Sequence, residues 1–254
     1  MHFVGRIAEL WRYPVSSLGG ERVDCLDIAG ADDASGGLDH PTAGVAGNRA
    51  FLLFDPETRE PAAPESSPRW RKALHLVSRL RPDGMAEIGF PDGAFLAADA
   101  PDMDEHLSDH FGFPVGLAET RGTGRSWLVI APRYTASPLH ILTTASIDAI
   151  RASDPALALD ARRFRPDLLI DTETGPGFVE NDWIGRRVVI GMLEIRVSEG
   201  TKRCGMTLVS QPGLPEQPDV LRHILRGNRR NLGVYADIAA PGRVTLGDEV
   251  WIDP

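Results

Sequence analysis

The chain has 254 residues, 42% of them apolar and 25% charged, a balance that gives a folded protein of one large or two modest domains and removes disorder as the default. With 36 acidic against 27 basic residues its formal charge is −9, which excludes nucleic-acid binding by broad phosphate neutralisation but leaves room for a small anion held by a few arginines. The two cysteines, Cys25 and Cys204, fit neither a disulfide framework nor a zinc site, and no export signal or run of about 20 apolar residues is present, so the expectation is a cytoplasmic protein with no membrane contact.

Phe3 to Trp11 alternates as a half-buried strand, Tyr13-Pro14 breaks it, and Arg22 to Ile28 reads as the next strand. Gly30 to Gly47, rich in Gly, Asp, Ala and Pro, reads as a long loop. Arg49 to Asp55 is an apolar run of strand length, and the prolines between Pro56 and Pro68 exclude regular structure there. Leu74 to Leu80 and Met85 to Phe90 read as paired strands around Pro82-Asp83-Gly84. A helix is predicted from Pro101, with Met103, Leu107 and Phe111 on one face, Asp99 as its cap and Phe113-Pro114 as its end.

Arg121 to Gly124 is the best candidate for a domain boundary. Beyond it, strands are predicted at Trp127 to Ile130, Leu139 to Leu142, Leu168 to Asp171, Arg187 to Ile190, Leu193 to Glu199, Met206 to Ser210 and Leu232 to Ala239. Helices are predicted at Ala145 to Ala152, capped by Thr143 or Thr144, and at Pro218 to Gly227. Val244 to Leu246 and Val250 to Ile252 flank Gly247-Asp248-Glu249 as a hairpin would. Many short strands with few helices make the fold class mainly β, of barrel type, and speak against a doubly wound sheet.

Cys204 follows a strand within Thr201-Lys202-Arg203-Cys204-Gly205, flanked by two cations that favour a thiolate. A reactive thiol and a buried structural cysteine are both open on this local pattern. Cys25 lies inside a strand and reads as packing. Arg49, Arg163, Arg165 and Arg203 stand near glycines or loops, and an arginine fork suits phosphate if several converge. His106 and His110 share a helix face but lack a third ligand, and with His40, His75 and His140 form no metal-type set. Nucleotide-binding glycine loops, a nucleophile elbow and a Schiff-base lysine are absent.

Taken in order, several segments resemble the MOSC superfamily, named for the C-terminal domain of molybdenum cofactor sulfurase, and in particular its amidoxime-reducing branch. They are Tyr13-Pro14-Val15-Ser16-Ser17, Gly47-Asn48-Arg49, Ser137-Pro138-Leu139-His140, Arg163-Phe164-Arg165-Pro166-Asp167, Glu180-Asn181-Asp182-Trp183, Arg203-Cys204, Leu232-Gly233-Val234-Tyr235 and Val244-Thr245-Leu246-Gly247-Asp248. The resemblance implies an N-terminal MOSC-associated β-barrel domain over 1–120 and a MOSC domain over 121–254. It also implies that Cys204 ligates molybdenum and that Ser17, Arg49, Ser137, Arg165, Asp167 and Arg203 line the pterin and its phosphate. Three positions depart from the pattern: Ser16 stands where a lysine is common, Asn48 where an aspartate is, and Asp167 where an asparagine is.

The function so implied is reduction of small N-oxygenated substrates by a molybdenum cofactor (molybdopterin), with electrons from a separate donor protein. A different class stays open: a sulfur carrier with a persulfide on Cys204, received from a pyridoxal-phosphate-dependent cysteine desulfurase. A third reading is a domain that binds cofactor without turnover.

Overall fold

The computed structural model describes residues 1–30, 43–120, 128–133 and 137–254. The predicted boundary at Arg121 to Gly124, His40, Trp127 and much of the Gly30 to Gly47 loop lie outside the described residues.

In the first half the strands are β1 (His2–Arg12), β2 (Val15–Ser16), β3 (Glu21–Val23), β4 (Cys25–Ala29), β5 (Gly44–Val45), β6 (Phe51–Phe54), β7 (Val77–Leu80), β8 (Ala86–Gly89) and β9 (Phe95–Ala97). Helix α1 (Met103–Phe111) and β10 (Gly116–Glu119) follow. The second half adds β11 (Leu139–Thr143), α2 (Thr144–Ser153), β12 (Leu168–Asp171), β13 (Arg187–Ile190), β14 (Leu193–Lys202), α3 (Pro218–Asn228), β15 (Asn231–Ala240), β16 (Gly242–Thr245) and β17 (Glu249–Ile252).

Seven strands close a barrel in the order β12-β11-β15-β14-β13-β17-β1, with β1 pairing back onto β12 and β3 added at its side. Neighbours run antiparallel except β11 and β12, whose parallel pairing requires the crossover that α2 supplies. Burial explains the two strand patterns. Along β13 and β17 buried residues alternate with partly exposed ones, the mark of a wall with one wet face. In β12, Leu168, Leu169 and Ile170 are all buried, because Leu169 meets the layer of Ile150, Phe164 and Ile224 outside the barrel while its neighbours point in.

The first strands share this barrel: Ile7, Leu10, Leu26, Ile28 and Val45 belong to its core beside Ile141, Val188 and Val250. Residues 51–117, joined by Val15 and Leu18, form a second core around Trp70, Ile88 and Leu107. Two small sheets, β10-β6-β2 and β7-β8-β9, belong to it. The third, β16-β4-β5, joins the ends of the chain at the barrel.

The mainly β class and most elements agree with the pattern in the sequence, and the differences have physical causes. The predicted strand from Leu74 starts only at Val77, because Pro68–His75 winds as 3-10 turns that bury Trp70 and Leu74. Helix α1 buries Met103, Leu107 and Phe111 but starts after Asp102, so Asp99 is not its cap. Met206 to Ser210 is no strand: Gly205–Leu208 forms a 3-10 turn tied by Thr207 N–H to the Cys204 carbonyl. The predicted final hairpin is not one, since β16 pairs with β4 whereas β17 pairs with β1 and β13.

Leu10 is fully buried on the strand that closes the barrel, opposite Leu168 and Val23. Leu10→Ala is expected to lower stability by about 2–5 kcal/mol, seen as an earlier urea midpoint with little change in slope.

Candidate functional site

The segments bearing the predicted cofactor residues meet around one buried carboxylate, that of Asp167, which is 2% exposed. One of its oxygens accepts the Asn48 Nδ2–H at 2.7 Å and the other accepts the His140 backbone N–H at 2.8 Å. Its backbone is fixed as well, the N–H donating to the His140 carbonyl at 2.8 Å and the carbonyl accepting from Trp11 N–H at 2.9 Å. Asn48 in turn accepts the Tyr13 N–H at 2.6 Å, so Asp167 ties together the segments at 13, 48, 140 and 167. Burial pushes its carboxyl above the usual range, while Arg49, the two hydrogen bonds and Arg165 pull it back. The two sequence departures Asn48 and Asp167 are therefore direct partners.

Two further arginines, Arg49 and Arg203, lie within electrostatic reach of Arg165 here. Arg165 is half-buried, with its guanidinium carbon 4.3 Å from the centre of the Tyr13 ring and Nη1 donating to the Leu18 carbonyl. Burial, aided by Arg49 and Arg203 and opposed by Tyr13 and Asp167, lowers its pKa to about 10, leaving it charged at neutral pH. Arg203 is buried, with Nη2 donating to the Phe164 carbonyl at 2.5 Å and its own carbonyl accepting from Arg230 Nε at 2.7 Å. Arg203 Nε is buried with no hydrogen-bond partner. Arg49 is half-buried, and its guanidinium has no hydrogen bond or ion pair among the described residues. None of the three forms a salt bridge among the described residues, and Arg49 and Arg165 act on the Asp167 carboxylate from beyond ion-pair distance.

Arg163 plays another part. Fully buried, it donates to the carbonyls of Ala158 at 2.8 Å, Thr207 at 3.3 Å and Pro215 at 2.6 Å, which engages each of its three nitrogens and braces the turn after Cys204.

His140, given no role by its sequence context, is buried between Arg165 and Arg203. Its Nδ1 lies 3.0 Å from the Arg165 carbonyl and its Nε2 lies 3.4 Å from Arg203 Nη1. An Nδ1–H donating to the carbonyl leaves the Nε2 lone pair for the guanidinium, which requires a neutral ring. Desolvation and the charge of Arg203 lower its pKa to about 3. At Gly233, with φ of 82°, an added Cβ would stand 2.6 Å from His140 Nε2, so no other residue fits beside the ring. Glu180 is a second buried carboxyl, accepting from Thr143 Oγ1 at 2.7 Å, Ser146 Oγ at 2.6 Å and Gly233 N–H at 3.2 Å; burial raises its pKa.

Cys204 is exposed, which decides against a buried structural cysteine. Lys202 points to solvent and Arg203 turns inward, so the two flanking cations face different surroundings. The next residue, Gly205, packs so closely that a Cβ would stand 2.6 Å from the Glu65 carbonyl oxygen. Ser17, with φ of 70°, precedes the Leu18 carbonyl that receives Arg165; its hydroxyl has no hydrogen bond among the described residues. Ser137 is half-buried and makes a long bond of 3.4 Å to the Leu139 carbonyl, with no contact to the arginines among the described residues.

A cleft of about 700 Å³, lined by Trp11 but by none of the predicted cofactor residues, shows the contrast. Its arginines are matched: Arg22 with Glu9 at 3.6 Å, Arg162 with Asp160 at 2.9 Å, and Arg151 with Asp148. Among the described residues no three His, Cys, Asp or Glu side chains converge as a metal site. The His106 and His110 rings face the carbonyls of Asp102 and Lys72. Among the described residues no helix is long and apolar enough to cross a membrane.

Fold and site together define a closed-barrel protein with an arginine cluster, free of ion pairs among the described residues, beside an exposed cysteine. The MOSC domain family model matches residues 104–251, more than half of the chain, and the chain belongs to that family. A search of curated proteins finds no match. Among solved structures it is similar to the YUAD protein from Bacillus subtilis, with 10% identity, a TM-score of 0.51, and coverage of 98% of this chain and 95% of that one, a likeness of fold alone. It also matches YiiM from Geobacillus stearothermophilus, at 16% identity and TM-score 0.37 over 46% of this chain and 55% of that one.

His140 binds a proton less readily folded than unfolded, so the unfolded state takes up more protons between pH 6.5 and about 3, and stability falls on acidification through that window. Glu180 and Asp167, with raised pKa values, act in the opposite sense. Comparing the wild type with His140→Asn isolates the histidine: urea titrations from pH 7 to pH 4 are expected to show a shallower loss in the variant, by up to about 1.4 kcal/mol per pH unit.

Proposed function

We propose that this chain binds the molybdenum cofactor, with Cys204 as the protein ligand to the metal, and reduces small N-oxygenated substrates. The observation that carries this reading is the set of Arg49, Arg165 and Arg203, which form no ion pair among the described residues, next to an exposed cysteine. With Asp167 ionised, three cations and one anion leave a local charge of plus two in a chain whose formal charge is −9. The residues fit a phosphate-bearing dithiolene cofactor on two further counts: the buried Arg203 Nε lacks an acceptor, and a thiolate is the soft ligand that molybdenum takes.

Arg49, Arg165 and Arg203 hold the anionic end, and Tyr13, stacked under Arg165, fixes the plane of its fork. When bound, the cofactor supplies two-electron redox chemistry. Reduction of an N-hydroxylated or N-oxide substrate consumes two electrons and two protons and releases water, the electrons arriving from a separate donor protein. The exposure of Cys204 also favours a second reading, a sulfur carrier that accepts a persulfide from a pyridoxal-phosphate-dependent cysteine desulfurase and presents it to an acceptor.

The test is molybdenum and pterin content after purification from a host that makes the cofactor. Near-stoichiometric molybdenum in the wild type and at least a tenfold loss in Cys204→Ala support the ligand reading. Absence of both molybdenum and pterin from the wild type overturns it, and a persulfide on Cys204 in that protein, detected by mass spectrometry, supports the carrier.

A further inference from the structure

We propose that Asn48 and Asp167 form one reciprocal positioning unit for the arginine cluster, in which a single negative charge can reside on either partner provided that the other is an amide. The argument is an account of donors and acceptors. The Tyr13 N–H points at the Asn48 side chain at 2.6 Å, so the oxygen of that amide faces Tyr13 and its NH₂ faces Asp167. Asp167 must then be an acceptor on both sides, toward Asn48 at 2.7 Å and toward the His140 N–H at 2.8 Å, and a carboxylate meets that demand. Each oxygen and each facing N–H in this chain of three hydrogen bonds has a partner.

Exchange of the two residues preserves every bond. An aspartate at 48 accepts from Tyr13 N–H with one oxygen and from an asparagine amide at 167 with the other, and the oxygen of that asparagine accepts from His140 N–H. Neither single change does so. Asn48→Asp sets two carboxylates face to face at the distance of a hydrogen bond, which only a shared proton relieves. Asp167→Asn leaves one oxygen for two donors, so an N–H meets an N–H at a buried position.

What the unit positions is read from the residues next to it. Arg49 follows Asn48 directly, and its N–H donates to the Tyr13 carbonyl at 2.8 Å; Arg165 is two residues before Asp167, and its carbonyl faces His140 Nδ1 at 3.0 Å. Both arginines have φ of 53°, in the left-handed region, and the bond from Asn48 to Asp167 joins these two turns, beside that from the Tyr13 hydroxyl to the Pro166 carbonyl at 3.2 Å. The inference rests on the reading of the cluster as an anion holder, and the experiment separates the two.

The variants are Asn48→Asp, Asp167→Asn and the exchanged double, each measured for thermal midpoint and for inorganic phosphate binding by calorimetry. Each single variant is expected to melt earlier and to bind phosphate at least about tenfold more weakly, a loss equal to one broken buried bond. The double is expected to recover both properties, with affinity within about threefold of the wild type. A double no better than the worse single, or singles indistinguishable from the wild type, overturns the proposal. If a single variant does not fold, the folding and phosphate affinity of the double decide. If the wild type itself binds no phosphate, the anion-holder reading falls, and the thermal midpoints alone decide whether the pair is reciprocal.

Discussion

The pairing of β1 with both β12 and β17 is the constraint on which the rest of the structure depends. Without it the strands from β11 to β17 form an open sheet with two raw edges, β12 and β17, and a barrel interior exposed to water. With it, the first residues of the chain complete a core made mainly by the last hundred, and Leu10 and Ile7 enter the same apolar interior as Val188 and Val250. The site inherits its geometry from this closure. Tyr13 and Asn48 reach Asp167 because β1 is hydrogen bonded along β12, and Trp11 N–H donates to the Asp167 carbonyl at the point where the two strands part.

Around that point the backbone is strained where the arginines sit. Ser17, Arg49, Arg165 and Arg230 have positive φ although none is glycine, each at roughly 1–2 kcal/mol. Arg203 and His140 are desolvated as well, and one guanidinium nitrogen has no partner. Such conflicts persist only where surrounding structure enforces them. The enforcing structure is specific: Arg163 braces the turn beyond Cys204 from within, and Glu180 fixes Gly233, which leaves room for the His140 ring.

Much of this was legible in the sequence because period and punctuation are local. Val188 to Ile190 is a short apolar run within a strand whose burial alternates; Leu168 to Ile170 is apolar throughout and lies in a strand covered on its outer face. What was not legible is non-local. Gly247-Asp248-Glu249 has the composition of a hairpin turn, yet its flanking strands join different partners because barrel closure needs β17 beside β1. Met206 to Ser210 has the apolar content of a strand but no ladder to join, and Arg163 holds it as a turn. In the site, the residue types pointed to Arg165, Arg203 and Cys204. The difference between Arg163, saturated by carbonyls, and Arg203, left with a free nitrogen, appears only in three dimensions. The exchange at Asn48 and Asp167 looks like two separate departures in sequence and is one contact in space.

The excess of acid over base in the composition sharpens the meaning of the unpaired arginines. With 36 Asp and Glu for 27 Lys and Arg, acidic partners are plentiful, and Arg12 pairs with Glu21 at 2.7 Å while Arg187 pairs with both Glu194 and Asp253. Among the described residues Arg49, Arg165 and Arg203 lack one, and the Asp167 carboxylate near them is already engaged by Asn48 and His140. A negative chain also repels anions at long range, within a Debye length of about 8 Å at physiological salt. Capture of an anionic ligand here therefore draws on short-range contacts from oriented guanidinium groups more than on steering. That demand falls on the rigidity of the turns at Arg49 and Arg165, and so on the buried hydrogen bonds that join them.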